Sequence, residues 1–226
     1  MSNSLPGFNA AEIKLLIFDL DGTLLDTRRD LHEAVLVVQE TFGVPKQSLE
    51  KTVAYVGNGI SKLLERSLPS IDSKRLPEAN SIFREYYNSH LTVHTQPYPF
   101  VNDLLRATSH LTKTVLSNKA EQYVQILVDY FRLTEYFVAI RGEREFVPKK
   151  PDPAAINQLL EETNCPPERA IIIGDTQNDI LAGKAAGIYT CGVTFGFRSR
   201  SNLEAHSPDL LVDSLHELIS LLEASR

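Results

Sequence analysis

The sequence is poor in cysteine, which restricts the kinds of site it can hold. Cys165 and Cys191 are the two cysteines among 226 residues, and neither lies in a Cys-x-x-Cys motif. Two cysteines in a chain of this length do not form a disulfide framework. Cys191 follows an apolar and β-branched run, which predicts a buried thiol.

Long apolar runs and long basic runs are also missing. No stretch approaches the roughly 18 apolar residues that a membrane span needs, and residues 1–11 contain no basic region followed by a long apolar run. The formal net charge of −6 is unfavourable for binding nucleic acid or an anionic membrane surface. We therefore expect a soluble cytoplasmic protein without a nucleic-acid or membrane partner, and an anionic substrate would need local cations.

Apolar residues make up 42% of the chain, enough for one large domain or for one domain with a smaller companion. Short apolar runs alternate with segments of helical periodicity. Strands are predicted over 15–18, 112–116, 137–140, 170–174, 188–193 and 210–212, and helices over 101–109, 120–131, 153–163, 178–186 and 215–222. This alternation predicts an α/β fold with a doubly wound parallel sheet.

The segment between the first two predicted strands is helical instead. Apolar residues from Leu31 to Phe42 fall at helical spacing, and no convincing strand follows before about residue 96. We expect residues 28–96 to form an inserted all-helical cap of four helices, which ends at a stiff Pro-Tyr-Pro hinge over 97–99. The remaining residues, 1–27 and 97–226, form the predicted catalytic core.

The most informative motif follows the first predicted strand. Asp19 and Asp21 stand one residue apart at its end, and Gly22 comes next. The carboxyl ends of parallel strands are where α/β sheets bind ligands. Two carboxylates this close repel each other unless a cation lies between them or one of them is protonated. Mg²⁺ prefers oxygen ligands and fits this pair, although Asp-x-Asp-Gly can also be a solvated turn.

Three further groups of polar residues follow predicted strands, and parallel strands would bring them to the same edge. Their members are Ser117 and Asn118; Lys149 and Lys150; and Asp175, Asn178 and Asp179. The first pair can bind phosphoryl oxygens, and a lysine can neutralise a phosphate. The third group can complete a Mg²⁺ shell through Asp175 and orient it through Asn178 or Asp179. Each group alone can be a helix cap, a solvated lysine or a favourable helix N-terminus, so it is the ordered set that indicates a phosphate site.

In this order, the residues resemble the four motifs of the haloacid dehalogenase-like superfamily, and within it the phosphoglycolate phosphatase-like group with a helical cap. The motifs are Asp19-Leu20-Asp21-Gly22-Thr23, Ser117 with Asn118, Lys150, and Gly174-Asp175-Thr176-Gln177-Asn178-Asp179. The resemblance extends over about 14–222. It implies a Rossmann-like core and a Mg²⁺-dependent phosphatase, a monomer or homodimer, that acts on a small-molecule phosphate monoester such as phosphoglycolate.

The resemblance also implies a role for each motif residue. Asp19 would attack phosphorus and form a phosphoaspartyl intermediate, while Asp21 would protonate the leaving alkoxide and then activate water. Mg²⁺ would be held by the Asp19 carboxylate, the Asp21 backbone carbonyl and Asp175. The residues that would bind the substrate phosphoryl group or support that binding are Thr23, Ser117, Asn118 and Lys150.

Two positions near these motifs stand out. Lys149 competes with Lys150 for the role of working lysine, and the family pattern favours Lys150 because it directly precedes Pro151. Phe100 stands where relatives commonly have the glycine of Tyr-Pro-Gly, a change that bears on the hinge rather than on the chemistry.

The predicted cap offers candidates for substrate binding. The Gly57-Asn58-Gly59 loop is similar to loops that face the active site in phosphoglycolate phosphatase-like caps, and two glycines can bring backbone N–H groups close to a ligand. It can equally be a plain turn between helices. Arg66 and Arg84 could meet a substrate carboxylate, but exposed arginines are common on helices.

Other functions compete with the phosphatase. A phosphosugar mutase of the same superfamily would carry a histidine where this chain has Leu31, with His32 one position away. A haloacid dehalogenase displaces halide from carbon and needs no acid for an alkoxide leaving group, so the presence of Asp21 disfavours that function. A receiver-like binding module would be about half as long and lack the inserted cap, and a catalytically inactive binding protein is a further alternative. The histidines form no cluster at ligand spacing, so no histidine metal site is expected.

Overall fold

Eight strands occur in residues 8–223, the part of the chain that the computed structural model describes. They are β1 Leu15–Phe18, β2 Leu25–Asp26, β3 Gln96–Pro97, β4 Thr112–Ala120, β5 Ala139–Glu143, β6 Ala170–Gly174, β7 Tyr189–Val193 and β8 Leu210–Val212. Six of them form one parallel sheet in the order β5-β4-β1-β6-β7-β8. The predicted α/β fold with a parallel sheet is confirmed, and β1 lies at its centre between β4 and β6.

Ten α-helices accompany these strands in the described residues. They are α1 Arg28–Thr41, α2 Leu49–Tyr55, α3 Ile60–Ser67, α4 Leu76–His90, α5 Val101–Ala107, α6 Glu121–Tyr130, α7 Ala154–Thr163, α8 Gln177–Ala185, α9 Arg200–Glu204 and α10 Leu215–Glu223. None of these helices is both long enough and apolar enough to cross a membrane. α6 packs against β4 and β5, and α8 packs against β6 and β7.

The hydrophobic core lies on both faces of the sheet. Leu16 and Phe18 of β1 belong to one buried cluster, while Leu15 and Ile17 belong to another. Side chains alternate along a strand, so a strand that is covered on both faces needs apolar residues at every position. This is why β1 has a continuous apolar run and could be predicted with its full length.

Helices α1 to α4 lie between β2 and β3, which confirms the inserted helical cap. α1 packs against α2 and α4, and α3 packs against α4. β2 and β3 pair antiparallel, with Leu25 opposite Pro97, where the chain enters and leaves this insertion. The sequence predicted no strand there, because two residues per strand are too few for a detectable period. The cap limits of 28–96 stay a prediction, and residues 1–7 and 224–226 of the predicted core lie outside the described residues.

Asp30 fastens the start of α1 to the segment that returns from the cap. Its buried carboxylate accepts hydrogen bonds of 2.7–3.1 Å from the backbone N–H groups of His94 and Thr95 and from the Thr95 hydroxyl. Asp30, Glu33 and His94 are close enough together to hold a metal ion. Because the Asp30 carboxylate already accepts hydrogen bonds from the backbone, this structural contact is sufficient to explain why the three residues lie close together.

One strand is longer than the sequence predicts. β4 was expected to end at residue 116, but it continues to Ala120, so Ser117 and Asn118 lie within the strand rather than after it. Polar residues interrupt the apolar pattern there, although the structure buries them. The short helix α9 was not predicted either, because five residues do not complete two helical turns.

Candidate active site

The carboxyl end of β1 carries both motif carboxylates, in different surroundings. Asp19 is 7% exposed and Asp21 is 9% exposed. Asp19 Oδ1 lies 3.0 Å from Lys150 Nζ, though without hydrogen-bond geometry. Asp21 accepts hydrogen bonds from the Thr27 hydroxyl at 2.7 Å and from Lys119 Nζ at 3.1 and 3.2 Å. The two carboxylates therefore have separate cationic partners.

Glycines let the chain pass close to two acidic side chains. Gly22 has a φ of +87°, and a Cβ added to it would lie 2.2 Å from Asp175 Oδ2. A Cβ on Gly174 would lie 2.2 Å from Asp179 Cγ. Any other residue would collide at either position, and at Gly22 it would also be strained. The glycines in the first and fourth motifs thus allow the acidic groups to pack together.

Lys150 is the lysine that the structure brings to Asp19. Its Nζ donates to Asp179 Oδ1 at 2.6 Å and to the backbone carbonyl of Leu116, and the side chain is buried. Lys149 instead donates to Glu143 Oε1 at 2.7 Å in a partly exposed pair. Of the two lysines that the sequence left open, only Lys150 lies in the acidic cluster formed by Asp19, Asp175 and Asp179.

Burial and like charges shift the titration of this cluster. Burial raises the pKa of Asp19 to about 6, because Lys150 offsets only part of the lost hydration and Asp179 and Asp21 repel a further negative charge. The pKa of Asp175 is raised well above its usual range by burial and by the charges of Asp19 and Asp179. Burial opposes the charge of Lys150, but Asp179 and Asp19 more than offset this effect, so its pKa is raised.

Asn118 positions the backbone of Lys150. Its Oδ1 accepts from the Lys150 N–H at 2.9 Å, and its Nδ2 donates to the Lys150 carbonyl at 2.8 Å and to the Gly57 carbonyl at 2.9 Å. The Asn118 amide is thus occupied by backbone groups rather than open to a ligand. Neighbouring Ser117 lines the cavity, and its hydroxyl has no acceptor among the described hydrogen bonds.

Lys119 was not among the residues predicted from the sequence. Because β4 continues to Ala120, Ser117 and Lys119 share a face of that strand. Besides binding Asp21, Lys119 Nζ donates to the hydroxyl of Tyr87 in α4 at 2.9 Å. Burial opposes the charge of Lys119, but Asp21 and Tyr87 more than offset it, so its pKa is raised. Burial raises the pKa of Tyr87 to about 12, so its hydroxyl is protonated at neutral pH.

The acidic cluster has the composition of a site for a hard cation. One carboxylate oxygen from each of Asp19, Asp175 and Asp179 lies within 4.8 Å of the other two. Asp179 is engaged by Lys150 and by the N–H and hydroxyl of Thr176. Asp19 Oδ1 and Asp175 Oδ1 are buried, and no described hydrogen bond satisfies them. Two such oxygens side by side fit the oxygen-ligand preference of Mg²⁺.

The loop between α2 and α3 contacts the core directly. The Gly57 carbonyl accepts hydrogen bonds from the side-chain amides of Asn118 and Asn178, both at 2.9 Å. Asn58 Oδ1 lies 3.2 Å from Asn178 Nδ2, and both Gly57 and Gly59 line the cavity. Asn178 donates through its Nδ2 to this cap loop, and its expected role in orienting a metal shell stays a prediction.

A second contact between core and cap comes from the loop after β7. Arg198 donates at 2.6–3.2 Å to three backbone carbonyls at the C-terminal end of α2, those of Val53, Ala54 and Val56. The preceding Phe197 N–H donates to Asp175 Oδ2 at 2.6 Å. One loop therefore touches both the acidic cluster and the cap. Phe197 and Arg198 belong to none of the four motifs, so these contacts could not be predicted from the sequence.

A cavity of about 40 Å³ lies between the end of β1 and the cap. The core contributes mainly polar side chains, which are Asp19, Asp21, Ser117, Asn118, Lys119, Lys150, Thr176, Asn178 and Asp179, together with Phe197. The cap contributes Tyr87 and four apolar side chains, which are Leu31, Val56, Ile60 and Leu63. The cavity is thus polar on the side of the core and mostly apolar on the side of the cap.

Several candidates from the sequence do not line this cavity, namely Asn58, Lys149 and Asp175, whose contacts are described above, and Thr23, Arg66 and Arg84. Thr23 is completely buried, and its hydroxyl has no described partner. Arg66 donates to the Tyr55 carbonyl at 3.3 Å. Arg84 lies over the ring of Tyr123, with its Cζ atom 5.9 Å from the ring centre. The arginines therefore have structural contacts, and the role of Thr23 in supporting the first motif stays a prediction.

Comparison with known proteins places these features in a family. Residues 16–193 match the model of the haloacid dehalogenase-like hydrolases. A phosphoglycolate phosphatase of Vibrio vulnificus (strain YJ016) is 33% identical over 223 residues, which cover 95% of this chain and 98% of that protein. Phosphoglycolate phosphatase 1 of Pseudomonas aeruginosa is 34% identical over 228 residues, which cover 97% of this chain and 83% of that protein.

Solved structures are similar over nearly the whole chain, cap included. A structure from Haemophilus somnus 129pt, described as a predicted phosphoglycolate phosphatase, has a TM-score of 0.88 at 25% identity and covers 95% of this chain and 99% of its own. A haloacid dehalogenase-like family hydrolase of Streptococcus pneumoniae has a TM-score of 0.84 at 26% identity, with coverage of 92% and 98%. With the family match, the relatives and the shared architecture in agreement, this chain belongs to the haloacid dehalogenase-like hydrolases.

Proposed function

We propose that this hydrolase is a Mg²⁺-dependent phosphatase that cleaves a small, phosphoglycolate-like phosphate monoester through a phosphoaspartyl intermediate on Asp19. The observation that carries the proposal is the separation of two buried carboxylates at the end of β1. Asp19 lies beside Lys150 in the acidic cluster, while Asp21 lies beside Lys119 under the cap. The names of the relatives support the phosphate-ester substrate.

Asp19 is the proposed nucleophile. One of its carboxylate oxygens forms a bond to phosphorus while the bond between phosphorus and the ester oxygen breaks. Lys150 and the Ser117 hydroxyl bind the phosphoryl oxygens and offset their charge, which is the main requirement of phosphoryl transfer. Asn118 acts indirectly, because it holds the backbone of Lys150.

Asp21 is the proposed acid and base. It gives its proton to the leaving alkoxide, and it then takes a proton from the water that attacks the phosphorus of the intermediate. The bond between Asp19 and phosphorus breaks in that second step, which releases phosphate and restores the free carboxylate. Hydrogen bonds from Thr27 and Lys119 hold the Asp21 side chain on the leaving-group side.

Mg²⁺ would be held by the buried carboxylate oxygens of Asp19 and Asp175 that accept no described hydrogen bond. Because the Asp21 side chain binds Thr27 and Lys119, we assign the Asp21 backbone carbonyl as the third protein ligand of the ion. When bound, the ion would offset the crowded negative charge of the acidic cluster and the phosphoryl group. Asp179 supports the site by holding Lys150.

The cavity favours a leaving group with few hydroxyl groups. Its cap side is mostly apolar, so it offers few hydrogen bonds to a polyol such as a sugar. The mutase alternative gains no support. Leu31, at the position of the mutase histidine, lines the cavity, whereas His32 Nδ1 lies 2.8 Å from the Thr52 hydroxyl within the cap.

The substitution Asp19→Asn tests the nucleophile. We expect Mg²⁺-dependent phosphate release from a panel of small esters to fall on the order of 10⁴-fold, because an amide cannot form the acyl phosphate. Circular dichroism should show an intact fold. Asp152→Asn is the matched control, since Asp152 is exposed and its Oδ1 accepts from the Ala154 N–H, a bond that asparagine can retain. Turnover by Asp19→Asn within tenfold of the parent would rule out this nucleophile.

A further inference from the structure

Tyr87 is a buried hydroxyl whose proton has no acceptor among the described hydrogen bonds. Its side chain is completely buried and lines the cavity from α4. Lys119 Nζ donates to its oxygen at 2.9 Å. An ammonium group has no lone pair and cannot accept a bond in return. A buried donor without an acceptor is unfavourable, so we expect the tyrosine O–H to donate to an acceptor on a bound ligand.

Tyr87 and Lys119 lie on the leaving-group side of the site. Lys119 Nζ is 3.1 Å from Asp21 Oδ1, and Asp21 must reach the ester oxygen to protonate it. The carbon atoms attached to that oxygen therefore pass close to this lysine and tyrosine. Lys150, the other lysine in the cavity wall, is already close to two carboxylates.

The remainder of the cap wall restricts what the leaving group can be. Leu31, Val56, Ile60 and Leu63 offer no polar side-chain atoms, so among the cap side chains that line the cavity Tyr87 is the one that can donate to a polar end of a small leaving group. A tyrosine O–H beside an ammonium group favours an acceptor that carries negative charge, since charge-assisted hydrogen bonds are the stronger ones. A carboxylate accepts hydrogen bonds and carries negative charge, so it suits this O–H better than a neutral hydroxyl does.

We propose that Tyr87, held in place by Lys119, binds the carboxylate of a leaving group that is a short α-hydroxy acid, and so acts as a specificity residue. This inference rests on the proposed phosphatase function and assigns the residue that recognises the carboxylate of its substrate. The tyrosine O–H donates to a carboxylate oxygen and keeps its proton throughout turnover, so no covalent step is added.

The experiment compares two esters of similar size that differ in charge, 2-phosphoglycolate and 2-hydroxyethyl phosphate. Values of kcat/KM are measured for the parent and for Tyr87→Phe with Mg²⁺. We expect the parent to prefer 2-phosphoglycolate. We expect Tyr87→Phe to lose about 10- to 100-fold on that ester, the range for a hydrogen bond to a charged group, and less than about threefold on 2-hydroxyethyl phosphate.

Tyr86→Phe is the matched control. Tyr86 stacks on His90 with ring centres 3.9 Å apart and does not line the cavity, so both esters should be cleaved as by the parent. Equal losses on both esters in Tyr87→Phe would overturn the specificity role. Equal cleavage of both esters by the parent would also overturn it, while leaving the phosphatase intact. Failure of the parent to release phosphate from any ester would overturn the proposed function itself.

Product inhibition tests the same contact in the unaltered protein. Glycolate should inhibit cleavage of 2-hydroxyethyl phosphate at least tenfold more strongly than ethylene glycol, because only glycolate carries the carboxylate. Similar inhibition by the two compounds would contradict the inference even if Tyr87→Phe failed to fold.

Discussion

Three lysines near the active-site end of the sheet differ because of their immediate neighbours. Lys150 is buried between the carboxylates of Asp19 and Asp179, and Lys119 is buried beside Asp21. Lys149 is adjacent to Lys150 in sequence, but it forms a partly exposed pair with a glutamate. A partly exposed ion pair contributes little to stability, whereas a buried lysine next to a nucleophile bears directly on the reaction.

Substitution of the two adjacent lysines tests this difference. We expect Lys150→Met to lower kcat/KM for a small phosphate ester by about 10²- to 10³-fold, because a charge that stabilises the transferring phosphoryl group is removed. Lys149→Met should stay within about twofold of the parent, since a surface pair of this kind is weak. Thermal melting of both variants checks that they are folded. Equal losses in the two variants would contradict the assignment of Lys150.

At the scale of single elements, the start of α5 shows a conflict between residue and backbone. Phe100 precedes this helix with a φ of +69°, in the left-handed region that favours glycine. Phe100 is 43% exposed, and its ring makes a tilted contact with His216, with ring centres 5.3 Å apart. The sequence marked this position as one where relatives have glycine, and the backbone retains the glycine-like conformation.

Phe100→Gly should therefore stabilise the protein. We expect the free energy of unfolding to rise by up to about 1 kcal/mol, because the cost of a left-handed residue exceeds the loss of a half-exposed ring contact. Urea unfolding measures the change. Ile126→Gly is the control, because Ile126 is an exposed apolar residue inside α6, where glycine should lower stability by about 1 kcal/mol. A loss of stability in both variants would show that the ring contact matters more than the backbone.

At the scale of the whole molecule, burial of the acidic cluster lowers the stability of the folded protein above about pH 6. The pKa of Asp19 rises from 3.8 to about 6 on folding, so the folded state binds a proton more tightly than the unfolded state. The contribution of Asp19 to the free energy of unfolding is fully present below about pH 4 and is lost as the pH rises through about 6. Burial of Asp175 acts in the same direction.

Asp19→Asn should consequently stabilise the metal-free protein at pH 8. We expect a gain on the order of 2–3 kcal/mol, or a rise in Tm of roughly 5–10 °C, which diminishes as the pH falls towards 4. Mg²⁺ at about 100 times its Kd should stabilise the parent by about 2.7 kcal/mol and have little effect on Asp19→Asn. Calorimetry at pH 5 and pH 8, with and without Mg²⁺, measures both effects. A metal-free parent that is more stable than this variant at pH 8 would contradict the expectation.

The six strands of the main sheet, most of the helices and the four motifs could be predicted from the sequence alone. Burial on both faces of β1 gives a continuous apolar run, and the motif residues follow strands whose common direction brings their ends together. These patterns are local, because each arises from the periodicity of one element or from a few adjacent residues. The length of β4 could not be predicted, since its last residues are polar and are buried by the site that they form.

Tertiary structure decided how the cap completes the site. Lys119 meets Tyr87 across 32 positions of sequence, and Arg198 meets the end of α2 across more than 140. Tyr87 lies in α4, and no residue near it in the sequence indicated that its hydroxyl would meet a lysine of the core. Contacts between distant segments depend on how whole elements dock against one another, and no local pattern of residues records that arrangement.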